Sequence, residues 1–460
     1  MGTPVEVTRR LAEFAAGIRS TDLPAEAVGL LKMCWLDFVG LTAYASRHAD
    51  SGPAVLAAVR ALGSSCGGPG TVVGSAETFA PAHAALLNGT NAHSFDFDDT
   101  NAYGTLHPGA PVIAAGLAAA ESVGASGREL LVGLAAGYEV AARVGAALGE
   151  TAYDRGFHPT GVAGIFGAVA AGARVLGLSE RELLSAWGAA GSFASGSMQY
   201  LADGAWNKRV HPGWAAHAAL FAVLLAKSGF HGADLPLEGR YGVLNAYGDA
   251  PRPELATAEL GERWVLLLTA IKPYPSCRYT HAAVDAALML RKRVGAAFRA
   301  GGTVSLRLSP YAHQIVGERV GPKLRPRNLV DAQFSVYFQV VAALLDGRVG
   351  LDAYAHIRDG EREDLTARVF AEPDPELPAL AAVATYRSPL GEETTVRVDA
   401  PVGEPPEGMP WGAIEDKFHS LARSCFAEDV RTRIVTSAHE LEGVVDLRPV
   451  LADLRTVVAR

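Results

Sequence analysis

The run Gly161-Val162-Ala163-Gly164-Ile165-Phe166-Gly167-Ala168-Val169-Ala170-Ala171-Gly172-Ala173-Arg174-Val175-Leu176-Gly177-Leu178 decides the fold class. It is apolar or small on nearly every face, which marks a helix surrounded by other helices. Its uninterrupted apolar part is 13 residues long and stops at Arg174, whereas a bilayer span needs about 20. An interior helix of a thick bundle is expected, with Ala and Gly letting neighbouring backbones approach closely.

Outward from this run, residues 5–19, 25–44, 111–123, 127–148 and 212–227 carry apolar residues at three- and four-residue spacing and are predicted helices. The character changes near Trp264. Residues 264–271, 303–308, 381–386 and 393–398 read as strands, the last two joined by the turn Ser388-Pro389-Leu390-Gly391. Helices are expected at 280–293, 330–346 and 351–356, and again at 413–423 and 447–458, beyond the Pro-rich stretch 401–410. The fold class is mainly α with an α+β second domain. A large all-helical domain comes from residues 1–267 and 402–460, and a smaller inserted α+β lid domain from 268–401.

The 460 residues are 49% hydrophobic and 20% charged, which supports a large core and excludes a disordered chain. A net charge of −8 argues against nucleic-acid or anionic-membrane partners, whose binders carry surplus basic residues. Cys34, Cys66, Cys277 and Cys425 are scattered without C-x-x-C spacing, so no disulfide framework, zinc ribbon or iron–sulfur cradle is expected. The first ten residues lack the apolar core of a signal peptide. A cytoplasmic protein without cofactor or metal is the expectation. Gly67-Gly68-Pro69-Gly70 lacks phosphate-loop spacing, and Phe193-Ala194-Ser195-Gly196-Ser197 lacks the first glycine of a nucleophile elbow.

Three histidines directly precede proline: His107-Pro108, His158-Pro159 and His211-Pro212. Proline suits the first turn of a helix, so each His is expected at or near an N-cap, its ring and the free amides facing one anion. The stretch His93-Ser94-Phe95-Asp96-Phe97-Asp98-Asp99-Thr100 lies just upstream. On a helical turn His93, Asp96 and Thr100 share a face, and a carboxylate beside an imidazole fixes its tautomer for proton transfer. Asp98 and Asp99 read as a solvated turn or as caps. Only 7 of the 41 basic residues are Lys, yet two sit in polar clusters with an Arg nearby: Lys208-Arg209 and Lys272 with Arg278. Lys offers a compact ammonium with a movable pKa, and such pairs suit two or more carboxylates. Cys277 lacks a thiolate-forming base at short range and reads as a small half-buried residue.

Four motifs together resemble the MmgE/PrpD family: Asn91-Ala92-His93-Ser94-Phe95-Asp96-Phe97-Asp98-Asp99-Thr100 with His107-Pro108; Gly156-Phe157-His158-Pro159-Thr160; Lys208-Arg209-Val210-His211-Pro212-Gly213; and Lys272-Pro273-Tyr274-Pro275-Ser276-Cys277-Arg278-Tyr279-Thr280-His281. The resemblance covers essentially the whole chain. It implies a homodimer with a site between helical domain and lid, and activities such as 2-methylcitrate dehydratase, cis-aconitate decarboxylase or iminodisuccinate epimerase. It places Asp96, Thr100, His107, His158, Lys208 and Lys272 on positions that line the site of the decarboxylase branch. Two departures count against decarboxylation of cis-aconitate itself. Cys277 stands where that branch has histidine, and Val320 is nearest the place of its active-site tyrosine.

The expected reaction is metal-free proton abstraction next to a carboxylate of a small hydroxy-polycarboxylate, followed by loss of water. His107 or His158 exchanges the proton, with Asp96 orienting one imidazole and Lys208 and Lys272 stabilising the enolate. Thr100, His93, Arg209, His211, Cys277, Arg278 and Tyr279 are expected to bind substrate. Epimerisation, decarboxylation and a non-catalytic carboxylate-binding protein are the alternatives.

Overall fold

A computed structural model describes residues 6–63, 67–149 and 151–458; Cys66 lies outside them. The chain divides into two compact units, one of residues 1–199, 206–271 and 409–460, the other of 200–205 and 272–408.

The first unit is helical, and its core is the Ala/Gly-rich set foreseen from residues 161–178. The helices Pro81–His93, Gly109–Val123, Gly127–Leu148, Gly164–Val175 and Asn207–Lys227 pack on one another, with Ala25–His48 and Trp411–Ala422 paired alongside. Local chemistry sets their ends. Ser126 accepts from the Glu129 backbone N–H while the Glu129 carboxylate accepts from Ser126, a reciprocal cap that starts Gly127–Leu148. Gly124, at φ +64°, ends Gly109–Val123 in the left-handed conformation. Two helices, Ala25–His48 and Gly127–Leu148, are long and apolar enough to cross a membrane, and both serve here as core helices, the second buried except at Arg128 and Glu129.

Small residues bring backbones together as expected. A Cβ on Gly167 would stand 2.6 Å from the Ala141 Cβ and also against the Gly137 carbonyl. Gly167→Ala should therefore destabilise the protein by about 1–3 kcal/mol, because a packed interior cannot absorb even one methyl. Urea unfolding checks this, and an unchanged midpoint would refute such tight packing.

Residues 264–271 do not form the expected strand. They make a short 3-10 turn, Val265–Leu268, and a two-residue strand, Thr269–Ala270, paired with Thr100–Asn101 inside the first unit. Side chains take the backbone groups a sheet would use. Glu139 accepts the Leu266 N–H at 2.7 Å, and the Asn101 amide donates to the Val265 carbonyl at 2.9 Å. Glu139 is itself paired with buried Arg143 at 2.8 Å.

The second unit carries a four-stranded sheet in the order Val369–Pro373, Thr303–Leu308, Ala382–Arg387, Glu393–Val398. The first pair is parallel and the others antiparallel. The helix His281–Val294 backs the sheet, and Val336–Asp346 packs on that helix. The edge strand Val369–Pro373 escaped the sequence reading because it is mostly exposed and shows no alternation. The helix expected at 330–346 is two, Leu329–Gln333 and Val336–Asp346, because the Ser335 hydroxyl caps the second by accepting the Phe338 N–H at 3.0 Å.

Candidate active site

The first unit gathers residues from three separate stretches, 93–107, 158–160 and 208–211, into one cluster. The helix Pro81–His93 ends at His93, and Asp96, at φ +51°, turns the chain back. A left-handed Asp is tolerated because its short side chain bonds locally. His93, Asp96 and Thr100 consequently do not share a helical face as expected, and Thr100 lies in the short strand paired with Ala270. The segment then doubles back through a bridge between Asn101 and Leu106. The His107 N–H donates to the Thr160 hydroxyl at 3.1 Å, which sets His107 beside His93.

Asp98 and Asp99 are not a solvated turn; each is 4% exposed. Asp98 bridges two imidazoles, with one carboxylate oxygen 2.8 Å from His93 Nδ1 and the other 3.3 Å from His107 Nδ1. Burial alone would raise its pKa, but the two imidazoles outweigh burial and hold Asp98 well below the usual carboxylate range. Asp99 does cap, accepting the Gly109 N–H at 2.9 Å, and it takes the Tyr138 hydroxyl at 2.6 Å. Burial nevertheless pushes it up to about 6. The expected orienting carboxylate, Asp96, pairs through one oxygen with Lys208 Nζ at 2.7 Å and stands 3.7 Å from His107 Nε2 with the other.

The remaining imidazoles close the cluster. His158 stands at the N-cap position of the short helix Pro159–Val162 without a side-chain capping bond, and its Nδ1 lies 3.1 Å from His211 Nδ1. The His93 ring lies 4.6 Å from that of His107 and 5.7 Å from that of His158, centroid to centroid. Burial lowers His93 to about 4 despite the pull of Asp98. Burial lowers His211 to about 4 as well, and burial, with His211 beside it, holds His158 well below its ordinary value. A neutral His93 donates Nδ1–H to Asp98, which leaves Nε2 as a buried acceptor without a hydrogen-bond partner among the described residues.

His211 is not near an N-cap as expected. Pro212 lies inside the helix Asn207–Lys227, where it has no N–H to donate. Arg209 finds other company: it donates to Ser51 at 3.3 Å and its guanidinium lies 5.5 Å from the Trp206 ring centroid.

In the second unit Lys272 is fully buried. Cys277 is buried and its N–H donates to the Gln333 carbonyl at 3.0 Å. Arg278 pairs with Glu404 and donates to His281 at 3.0 Å, while Tyr279 meets Tyr311 edge to face at 5.3 Å.

One group among the described residues has the donor set for a metal ion: His93, Asp98 and His107, with ligand atoms within 4.8 Å of one another. The 2.8 Å His93–Asp98 spacing is that of a hydrogen bond. What the cluster can do without an ion is hold an anion beside Lys208 and move protons between imidazoles of fixed tautomer.

A testable consequence concerns protons. An anion beside imidazoles held near 4 raises their pKa, so a di- or tricarboxylate bound at pH 6 should bring protons in with it. Titration calorimetry in buffers of different ionisation enthalpy should show uptake of about one proton or more per site, and affinity should rise as pH falls from 7 toward 6. Zero net uptake would contradict an anion site among these imidazoles.

The MmgE/PrpD N-terminal domain matches residues 9–256 and the MmgE/PrpD C-terminal domain residues 274–442. The chain is 28% identical to a cis-aconitate decarboxylase-like protein of Aspergillus oryzae, over 97% of this chain and 96% of that one. It is 26% identical to a cis-aconitate decarboxylase of Aspergillus terreus over 97% and 95%, and 29% identical to that of Homo sapiens over 80% and 78%.

Proposed function

This chain belongs to the MmgE/PrpD family, and we propose that it is a lyase that breaks a bond of a small polycarboxylate with proton transfer at the carbon next to a carboxylate. The observation that carries this reading is the Asp98 bridge between His93 and His107, with the Lys208–Asp96 pair beside it. Lys208 neutralises a substrate carboxylate and the charge that develops next to it. His107, the more accessible of the two bridged imidazoles at 12% side-chain exposure, exchanges the proton. Asp98 fixes its tautomer.

Decarboxylation is the bond-breaking step favoured by the relatives. The C–CO2 bond breaks, its electron pair shifts through the adjacent double bond, and the carbon next to a remaining carboxylate takes a proton from imidazolium as CO2 leaves. The proton that enters with the anion supplies that imidazolium. Dehydration is kept as a second reading. The His158–His211 pair offers an acid for a departing hydroxyl, and Cys277 and Val320 depart from the decarboxylase pattern.

The test is incubation of the full chain with cis-aconitate, 2-methylcitrate, citrate and iminodisuccinate in deuterated water. CO2 with a deuterated product supports decarboxylation, and loss of water with new ultraviolet absorbance supports dehydration. Deuterium exchange at constant connectivity would assign an epimerase instead. Carboxylate binding with neither bond cleavage nor exchange across the panel would overturn the lyase reading for these substrates.

A further inference from the structure

The turn that carries Asp96 and Asp98 is held from behind by a residue far away in sequence. Lys417, on the helix Trp411–Ala422, donates to the Phe97 carbonyl at 2.8 Å, pairs with Asp37 at 2.7 Å and sits 3.8 Å from the Phe97 ring centroid. Lys417 is 9% exposed and Asp37 3%. Asp37 comes from the helix Ala25–His48, one turn before Gly40, where a Cβ would stand 3.3 Å from the Phe418 Cα. That close approach brings the two helices near enough for the pair to form.

The clamp and the site share a wall. A cavity of about 10 Å³, room for about one water, is lined by Asp37, Asp98, Asp99 and Cys34. Lys417 is also one of only seven lysines in a chain with 34 arginines. A compact ammonium reaches a carboxylate, a carbonyl and a ring face from one point, which a planar guanidinium does not do.

We infer that Lys417, braced by Asp37, is a positioning residue. By gripping the Phe97 carbonyl it fixes the turn so that Asp96 and Asp98, on either side of it, meet Lys208 and the two imidazoles. This rests on the proton-transfer role given above to the Asp98-bound imidazoles, and its main test does not need turnover. Wild-type protein should show a far-downfield Nδ1 proton resonance from the His93–Asp98 hydrogen bond, identified by its loss in His93→Gln. In Lys417→Met that resonance should broaden or move upfield while the overall spectrum stays folded. Should the single variant not fold, Asp37→Asn/Lys417→Met leaves no buried charge behind and should show the same change. A resonance at its wild-type position in either folded variant overturns the inference.

On whichever panel compound is turned over, Lys417→Met should lower kcat by about 10²-fold, the cost of a small displacement at a reacting centre, with KM within about threefold. A variant that lost stability alone would keep its kcat per folded molecule. If no compound is turned over, the lyase reading fails while the resonance still decides the clamp.

Discussion

Asp98→Asn should lower kcat by about 10³- to 10⁴-fold, the scale seen when a carboxylate that sets an imidazole tautomer is neutralised. The carboxylate now meets two Nδ1 atoms, at 2.8 and 3.3 Å. An amide presents one oxygen and one NH2, so it can accept from only one ring and must donate toward the other. One imidazole then holds its proton on the wrong nitrogen. KM should change far less, because Lys208 and its partner Asp96 are untouched. Steady-state kinetics on the compound identified in the panel checks this, and kcat within tenfold of wild type would remove Asp98 from the chemistry.

Lys208→Met should cost about 10³-fold in kcat/KM, equivalent to about 4 kcal/mol of transition-state stabilisation. It should also destabilise the fold by about 3–5 kcal/mol, because it strands the Asp96 carboxylate, which is 3% exposed, without its ammonium. The two losses have different origins and can be separated. Asp96→Asn/Lys208→Met leaves no buried charge unpaired, so the melting temperature should recover while kcat/KM stays low. If the double variant recovered activity along with stability, Lys208 would be a structural ion-pair partner only.

Both predictions concern residues whose importance the sequence presented unequally. Lys208 stood out because lysine is rare in this chain, and Asp96 because it follows His93 at helical spacing. Asp98 carried a signal as well, an acid five residues after His93, but on a helix that spacing points away from the ring. Only the break after His93 and the left-handed Asp96 turn it inward. Lysine rarity could also have flagged Lys417, but no local motif surrounds it.

The helices of the first unit were legible because burial on every face leaves a compositional trace, and three of the four sheet strands because turn residues and alternation bound them. Residues 264–271 misled because their apolar, β-branched composition suits a strand while Glu139 and Asn101 claim the backbone.

Composition and spacing by themselves determined that this is a mainly helical chain with an α+β segment, and they pointed to His93–His107, His158, Lys208–His211 and Lys272–His281 as its polar clusters. Tertiary structure alone decided which carboxylate serves which base. Periodicity records how a side chain faces its own helix, whereas a pairing such as Asp98 with His107, or Lys417 with Phe97, is settled where separate segments cross, by glycine contacts that let backbones close and by burial that makes an unpaired charge intolerable.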